Sequence, residues 1–239
     1  MRIIPALKHL RRRIYALRAF VPGLRRKHRL EQMVGPLGFW NELQAYQLTA
    51  VRRLGLLPGH TLLDLGCGPL QGGEMFIRYL DPQCYVGVDH RRAVIEVGHE
   101  QIAQHALKAK APRLLFSESF GDVELGASSF DFIWASQVLY YFDEPTMAQL
   151  FEMVSRRLKP DGKMVGDILG LNADRSFLKP PLPPEHTPQS LDKIARAHGL
   201  CVAACGTIQD FGYPPRLGLR TNTLLEITHL ARQTTAKDQ

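Results

Sequence analysis

Leu62-Leu63-Asp64-Leu65-Gly66-Cys67-Gly68 puts an acid and two glycines at the end of an apolar run. That order reads as a buried strand breaking into a tight turn. Glycine has no Cβ, so backbone at such a turn can approach a ligand closely. A second acid, Asp89, ends the next apolar run, Tyr85-Val86-Gly87-Val88. It follows the first turn by about 20 residues, the spacing that nucleoside-binding βαβ units require. Together the two acids and the glycines imply a nucleoside-containing cofactor at the strand ends.

The residues also constrain which cofactor. A dinucleotide fingerprint wants a third glycine to tighten helix against strand. Here Pro69-Leu70-Gln71-Gly72-Gly73 follows, and Gln71 stands in that place. A phosphate-cradling P-loop fails as well, because no Gly-Lys-Ser/Thr follows. Asp64, two residues before the first glycine, repels a pyrophosphate and suits a ligand bearing an ammonium group.

The elements that must position these residues can be read from the alternation of apolar runs and turns. Strands are expected at Thr61–Leu65, Tyr85–Val88, Leu114–Ser117, Phe130–Ala135, Lys163–Leu169, Leu200–Cys205 and Asn222–Thr228. Helices are expected at Gly72–Leu80, Arg92–Ala106, Glu144–Leu158 and Gln189–His198, with Lys159-Pro160-Asp161-Gly162 as a turn. Residues 170–188 are proline-rich and irregular. Helices alternating with short strands give an α/β, doubly wound, seven-stranded, mostly parallel sheet with an N-terminal helical extension.

The 239 residues suit one such domain with an appendage, and 45% hydrophobic residues suffice for a sizeable core. No run approaches the roughly 18 apolar residues of a membrane span. Cys67, Cys84, Cys201 and Cys205 show neither pairing nor zinc-ligand spacing and read as reduced thiols of a cytoplasmic protein. The net charge of +7 is local. Residues 1–30 hold ten Lys or Arg and no acid, and the rest carries 20 basic against 23 acidic residues, a net of −3. The body is therefore slightly acidic, which disfavours a nucleic-acid groove across it.

Within the arm, Ile3, Leu7, Leu10, Ile14, Leu17 and Val21 form one apolar helical stripe, which Pro22-Gly23 is expected to end. A lead-in of 31–56 follows, with a helix over 39–54. The arm admits several roles. It suits an anionic membrane surface, which would make the protein peripheral at the inner membrane face. It equally suits packing on the domain or on a second subunit of a homodimer. A transit segment and an RNA dock are the weaker readings.

Four stretches occur in one order: Leu62–Gly68, Val86-Gly87-Val88-Asp89, Ser129-Phe130-Asp131-Phe132-Ile133-Trp134-Ala135-Ser136 and Leu158-Lys159-Pro160-Asp161-Gly162. On these, the chain resembles the class I S-adenosylmethionine-dependent methyltransferases over residues 57–230. The resemblance implies their Rossmann-like fold with an antiparallel final hairpin, and S-adenosylmethionine as cofactor. It implies that Gly66, Cys67 and Gly68 run under the methionine part, and that Asp64 holds this loop or meets the amino group. Asp89 would accept from both ribose hydroxyls, with two acceptor oxygens facing two donors. His90 would lie against the adenine, Glu118 and Ser119 at its edge, and Ser136 and Gln137 toward the sulfonium and the acceptor. The family's usual third glycine is Leu70 here.

Plainer readings stand beside these. Cys67 reads as a small packing residue and not a nucleophile. Of Tyr140 and Tyr141, one is expected in the core and one at the surface. Asp167, Tyr140 and His186 are the weak candidates for a catalytic base, and His186 also fits a solvated loop. No paired His/Asp spacing suggests a metal. No Asn/Asp-Pro-Pro-Tyr/Phe motif and no paired catalytic cysteines are present. By elimination the acceptor is an oxygen or nitrogen of a small molecule, a sugar or a lipid-linked metabolite. The rival readings are an RNA or protein methyltransferase docked by the arm, and a non-catalytic binding module.

Overall fold

The computed structural model describes residues 21–119, 125–170, 173, 175, 176, 178, 180, 182–217 and 221–230. The arm's apolar stripe lies outside these residues except for Val21. The first helix described is α1 (Pro22–Val34), so Pro22-Gly23 opens a helix, and the expected end of the arm helix before it lies outside the described residues. Proline suits the first helical turn, where its missing N–H has no intrahelical partner to lose. α1 carries the basic cluster through residue 30 into the lead-in. Arg25 and Arg29 are exposed, whereas His28, Leu30 and Glu31 are buried. α2 (Trp40–Arg53) follows, burying Trp40, Leu43, Tyr46, Ala50 and Val51 on one stripe.

Glu31 organises the bend between these helices. It is fully buried and accepts from the Trp40 N–H at 3.3 Å. Burial raises its carboxyl above the usual range, and hydrogen bonds from the Gly38 and Trp40 main chain pull it back down.

The sheet then forms as expected. Its strands are β1 (Leu62–Leu65), β2 (Tyr85–Asp89), β3 (Arg113–Phe116), β4 (Phe130–Ala135), β5 (Leu158–Ile168), β6 (Leu200–Thr207) and β7 (Thr223–His229). Between them run α3 (Gly73–Tyr79), α4 (Arg92–Gln104), α5 (Glu144–Arg157) and α6 (Pro188–Arg196). The spatial order is β3-β2-β1-β4-β5-β7-β6. β1 to β5 pair in parallel, and β7 pairs antiparallel with both β5 and β6. The order reverses between β1 and β4, so a crevice opens beyond their carboxyl ends, where open α/β sheets bind ligands.

Alternation along the strands builds two cores. Leu63, Leu65, Ile133 and Ala135 face the layer with Phe151, Val154 and Leu191, and Leu62, Phe132 and Trp134 face the layer with Val51, Phe76 and Ile77. β5 departs from its expected start. The Lys159–Gly162 turn belongs to the strand, with a register shift against β4 between Phe130 and Phe132. Two recurring stretches meet here, at the end of the sheet remote from the crevice. Asp131 Oδ2 accepts from the Thr61 N–H at 2.7 Å and from Lys159 Nζ at 2.8 Å. The acid of the fourth-strand stretch is thus a structural tie.

Gly72 and Gly73 serve close approach. A Cβ on Gly72 would collide with the Gln47 side chain, and one on Gly73 with the Tyr85 hydroxyl and, at 2.6 Å, with Leu70 Cδ2. Gln47 is the tip of a flexible chain, but Tyr85 is buried and rigid. Gly73→Ala is therefore expected to destabilise the fold by about 1–3 kcal/mol, and Gly72→Ala by less. Chemical denaturation of the two variants checks the order.

Candidate functional site

The loop after β1 reverses within a few residues. Gly66 and Gly68 have φ of +71° and +56°, in the left-handed region where a side chain is strained. The loop is also tightly enclosed. A Cβ on Gly66 would lie 2.5 Å from Val138 Cγ2, and one on Gly68 would lie 3.1 Å from Val34 Cγ1 of α1. Leu70 takes φ +64° while its side chain is buried. The core contact of the leucine holds a conformation that glycine would adopt freely.

Asp64 sits beneath this loop. It is buried and accepts from the Tyr85 hydroxyl at 2.7 Å. This hydrogen bond ties β1 to β2. Burial, opposed by the Tyr85 hydrogen bond and reinforced by the nearby Asp89 charge, raises its pKa to about 7. Cys67 is buried, and burial first, then the Asp64 and Asp89 charges, push its thiol well up. It packs and carries no nucleophilic thiolate.

Asp89 ends β2 with both carboxylate oxygens in use. Oδ2 accepts from the Gly68 N–H at 3.1 Å. Oδ1 accepts from the Arg91 N–H at 2.9 Å and from Arg91 Nε at 3.1 Å. The same guanidinium donates through Nη1 to the Met33 carbonyl of α1 at 2.8 Å. One arginine therefore joins the end of β2 to the end of α1, over the glycine loop. Its side chain is 40% exposed, so it is the partner of Asp89 that can leave when another donor pair arrives. His90 is largely exposed, with Nδ1 3.6 Å from Asp89 Oδ1. Beyond β3, Glu118 is exposed, and Ser117 donates to the Ser119 carbonyl.

The loop after β4 is held by Asp167, which the sequence suggests as a base. The structure corrects this. Asp167 is fully buried and accepts from the Gln137 N–H at 2.6 Å, Gln137 Nε2 at 2.8 Å and Asn222 Nδ2 at 2.6 Å. A carboxylate engaged by three donors is a positioning group. It fixes Gln137 at φ +61°, and Gln137 Oε1 accepts from the Tyr140 hydroxyl at 3.1 Å. Tyr140 is buried and Tyr141 exposed, the split expected of that pair.

Three buried polar atoms on these elements lack hydrogen-bond partners: the Tyr46 hydroxyl, Gln71 Nε2 and Asn222 Oδ1. Tyr46 comes from α2 and lies beside Ser136 without completing a hydrogen bond. Burial, then the Asp167 charge, hold its phenol well above the usual range, so it remains a donor. Such orphans cost free energy unless a ligand meets them. The methionyl end of S-adenosylmethionine, with a carboxylate and an ammonium, supplies acceptors and donors for groups of this kind. Sequence reasoning missed Tyr46, Arg91 and Asn222. Only Gln71 carried a signal, as a polar residue in place of a glycine.

Comparison with known proteins agrees with this chemistry. Residues 63–164 match the family model of a methyltransferase domain. No curated protein matches the chain in sequence. Among solved structures, the magnesium protoporphyrin IX methyltransferase of Synechocystis PCC 6803 with bound SAH is similar at a TM-score of 0.61 and 15% identity, over 87% of this chain and 94% of that one. A S-adenosylmethionine-dependent methyltransferase of Clostridium acetobutylicum ATCC 824 gives 0.60 and 13%, over 80% and 92%. The mitomycin 7-O-methyltransferase gives 0.58 and 17%, over 90% and 60%. The chain thus has the fold of these methyltransferases, and its residues 63–164 match a methyltransferase domain.

Two outcomes are expected. Asp89→Ala should abolish S-adenosylmethionine binding in calorimetry while the protein stays folded; unchanged affinity would remove Asp89 from the ribose site. For Asp64, the unfolded chain releases its proton near 3.8 and the folded chain near 7. Between these values the folded state holds more protons, so this contribution to stability, on the order of 4 kcal/mol, is full below about pH 4 and lost as pH rises to 7. Asp64→Asn keeps an acceptor for Tyr85 and removes the titration. Its Tm relative to wild type should rise steadily from pH 5 to pH 7.5; parallel curves would refute the assignment.

Proposed function

We propose that the enzyme methylates an oxygen or nitrogen of a small-molecule, sugar or lipid-linked acceptor, with His186 as the base that takes the acceptor's proton. The reading starts from a pocket at the carboxyl end of β5. Ile168, Leu169 and Gly170 form one wall, Tyr140 another, and His186 with Thr187 closes the side toward α6. It shares Tyr140 with the Asp167–Gln137 network, which links the pocket to the loop after β4.

The observation that carries the proposal is a hydrogen bond of 2.8 Å between His186 Nε2 and the Phe142 carbonyl. A carbonyl only accepts, so Nε2 carries the hydrogen. In the neutral ring Nδ1 then holds the basic lone pair. Asp167 and Tyr140 do not compete for this role. The first is engaged by three donors, and the second donates its own hydrogen to Gln137.

When bound, S-adenosylmethionine supplies a methyl group already activated by its sulfonium. The protein's task is then alignment, exclusion of water and removal of one proton. Gly66 and Gly68 bring main chain close beneath the cofactor's methionyl part. Asp89 exchanges the Arg91 guanidinium for the ribose hydroxyls. His186 Nδ1 accepts the proton that the acceptor loses. Among the similar structures, the mitomycin 7-O-methyltransferase acts on an oxygen, which fits a pocket provided with a base.

His186→Gln retains an amide donor for the Phe142 carbonyl and has no basic lone pair. With labelled S-adenosylmethionine and a small-molecule extract of cells, it should lower the transfer rate by roughly 10²–10⁴-fold and leave cofactor affinity unchanged. A variant with the wild-type rate would exclude His186 as the base.

A further inference from the structure

Arg175 stands on the wall of the same pocket and has no part in the chemistry described above. Its Nη2 donates to the Pro183 carbonyl, and its Nη1 lies 3.0 Å from Glu185 Oε1. Its Nε is buried and has no acceptor. The two partners of the ion pair are unequally placed. The arginine side chain is 21% exposed and the Glu185 side chain 73%. A carboxylate that far into solvent gains little from its pair and gives it up cheaply. The guanidinium, by contrast, is half withdrawn from water with one donor unmet, a state that is costly until an acceptor arrives.

Two further features set the charge preference of this wall. α6 begins at the pocket: Thr187 is its N-cap and accepts from the Ser190 N–H at 3.1 Å. The positive end of the helix dipole therefore lies beside Arg175. Ile168, Leu169 and Gly170, which also line the pocket, are apolar or carry no side chain. One guanidinium fork and a helix start suit a planar monoanion, which a guanidinium grips through two parallel N–H donors.

We infer that Arg175 is the anchor for a carboxylate on the acceptor, that Glu185 occupies this anchor when no acceptor is bound, and that the acceptor is an organic acid methylated at another atom. The inference rests on the proposal that this pocket holds the acceptor, and it adds the chemical class. The carboxylate replaces Glu185 on Arg175 and stays unmethylated. The product therefore keeps its negative charge.

The test uses the full chain, labelled S-adenosylmethionine and a small-molecule cell extract divided by anion exchange into acidic and non-acidic pools. Wild type should label the acidic pool, and the labelled product should be retained on the resin. Arg175→Gln should lower that labelling by roughly 10- to 100-fold through the acceptor's apparent KM, as loss of one partner of a charged pair does. Its Tm and cofactor affinity, measured alongside, should remain those of wild type. Glu185→Gln separates anchoring from structure. If Glu185 competes with the acceptor, removing its charge raises transfer at low acceptor concentration several-fold. If Arg175 merely braces the loop, Glu185→Gln leaves transfer unchanged or lowers it. Labelling confined to the non-acidic pool, acidic labelling that Arg175→Gln retains in full, or a labelled product that has lost its charge would each overturn the inference while leaving the methyltransferase reading intact. Absence of transfer into either pool by wild type would overturn the small-molecule reading, and the acid anchor with it.

Discussion

The carboxylate of Asp89 is the constraint on which the cofactor end depends. Two neighbouring parallel strands bring their carboxyl ends together, and the loop leaving the first must reverse sharply to reach its helix. Asp89 receives that loop through the Gly68 N–H and holds it where Gly66 and Gly68 can adopt left-handed backbone. The same side chain fixes Arg91, and Arg91 holds the Met33 carbonyl. One charge thereby organises the glycine turn, the start of α4 and the end of α1. A fully buried carboxylate persists only when donors compensate its lost hydration. Here those donors are the Gly68 main chain and the main chain and guanidinium of Arg91.

Asp167 does the corresponding work for the loop after β4. Its three donors join β5, the loop after β4 and the segment leading into β7. Gln137 is held in a backbone conformation that an ordinary side chain disfavours, at a cost of about 1–2 kcal/mol, which the two hydrogen bonds from Gln137 to Asp167 offset. Through Gln137 the constraint reaches Tyr140, and so the wall shared with His186 and Arg175. The loops after β1 and β4 are thus each held by a buried carboxylate served by several donors. Asp64 has a single hydroxyl partner. Burial, opposed by that one hydrogen bond and reinforced by the Asp89 charge, raises its pKa to about 7.

The fold was legible because its signals are local and repeated. Alternating runs marked the strands, turn residues marked their ends, and Leu62–Gly68 with Asp89 located the crevice. The errors came where local signals compete with tertiary ones. Pro22-Gly23 reads only as a stop, and that it also begins α1 depends on Trp40 and Val97 elsewhere in the chain, which pack with its Leu30. Lys159–Gly162 reads as a turn, but Leu158 and Lys163 on either side of it both pair with β4, so β5 runs through it as an irregularity. Asp167 reads as an available base, because sequence shows a side chain's chemistry and not how many donors surround it.

Residue type and spacing alone determined the parallel sheet, the glycine turn and the acid at the end of the second strand. Each rests on intervals of a few residues, over which strand period and turn geometry are fixed by the backbone. Tertiary structure alone decided the roles of individual polar groups. The Tyr46 hydroxyl stands beside Ser136 and the charge of Asp167, across 90 and 121 positions of sequence. Arg91 meets Met33 across 58. His186 finds the Phe142 carbonyl across 44, and that contact assigns its tautomer. Whether a side chain acts as base, anchor or brace depends on its burial and on what fills its hydrogen bonds. Those are properties of packing, which no short stretch of sequence carries.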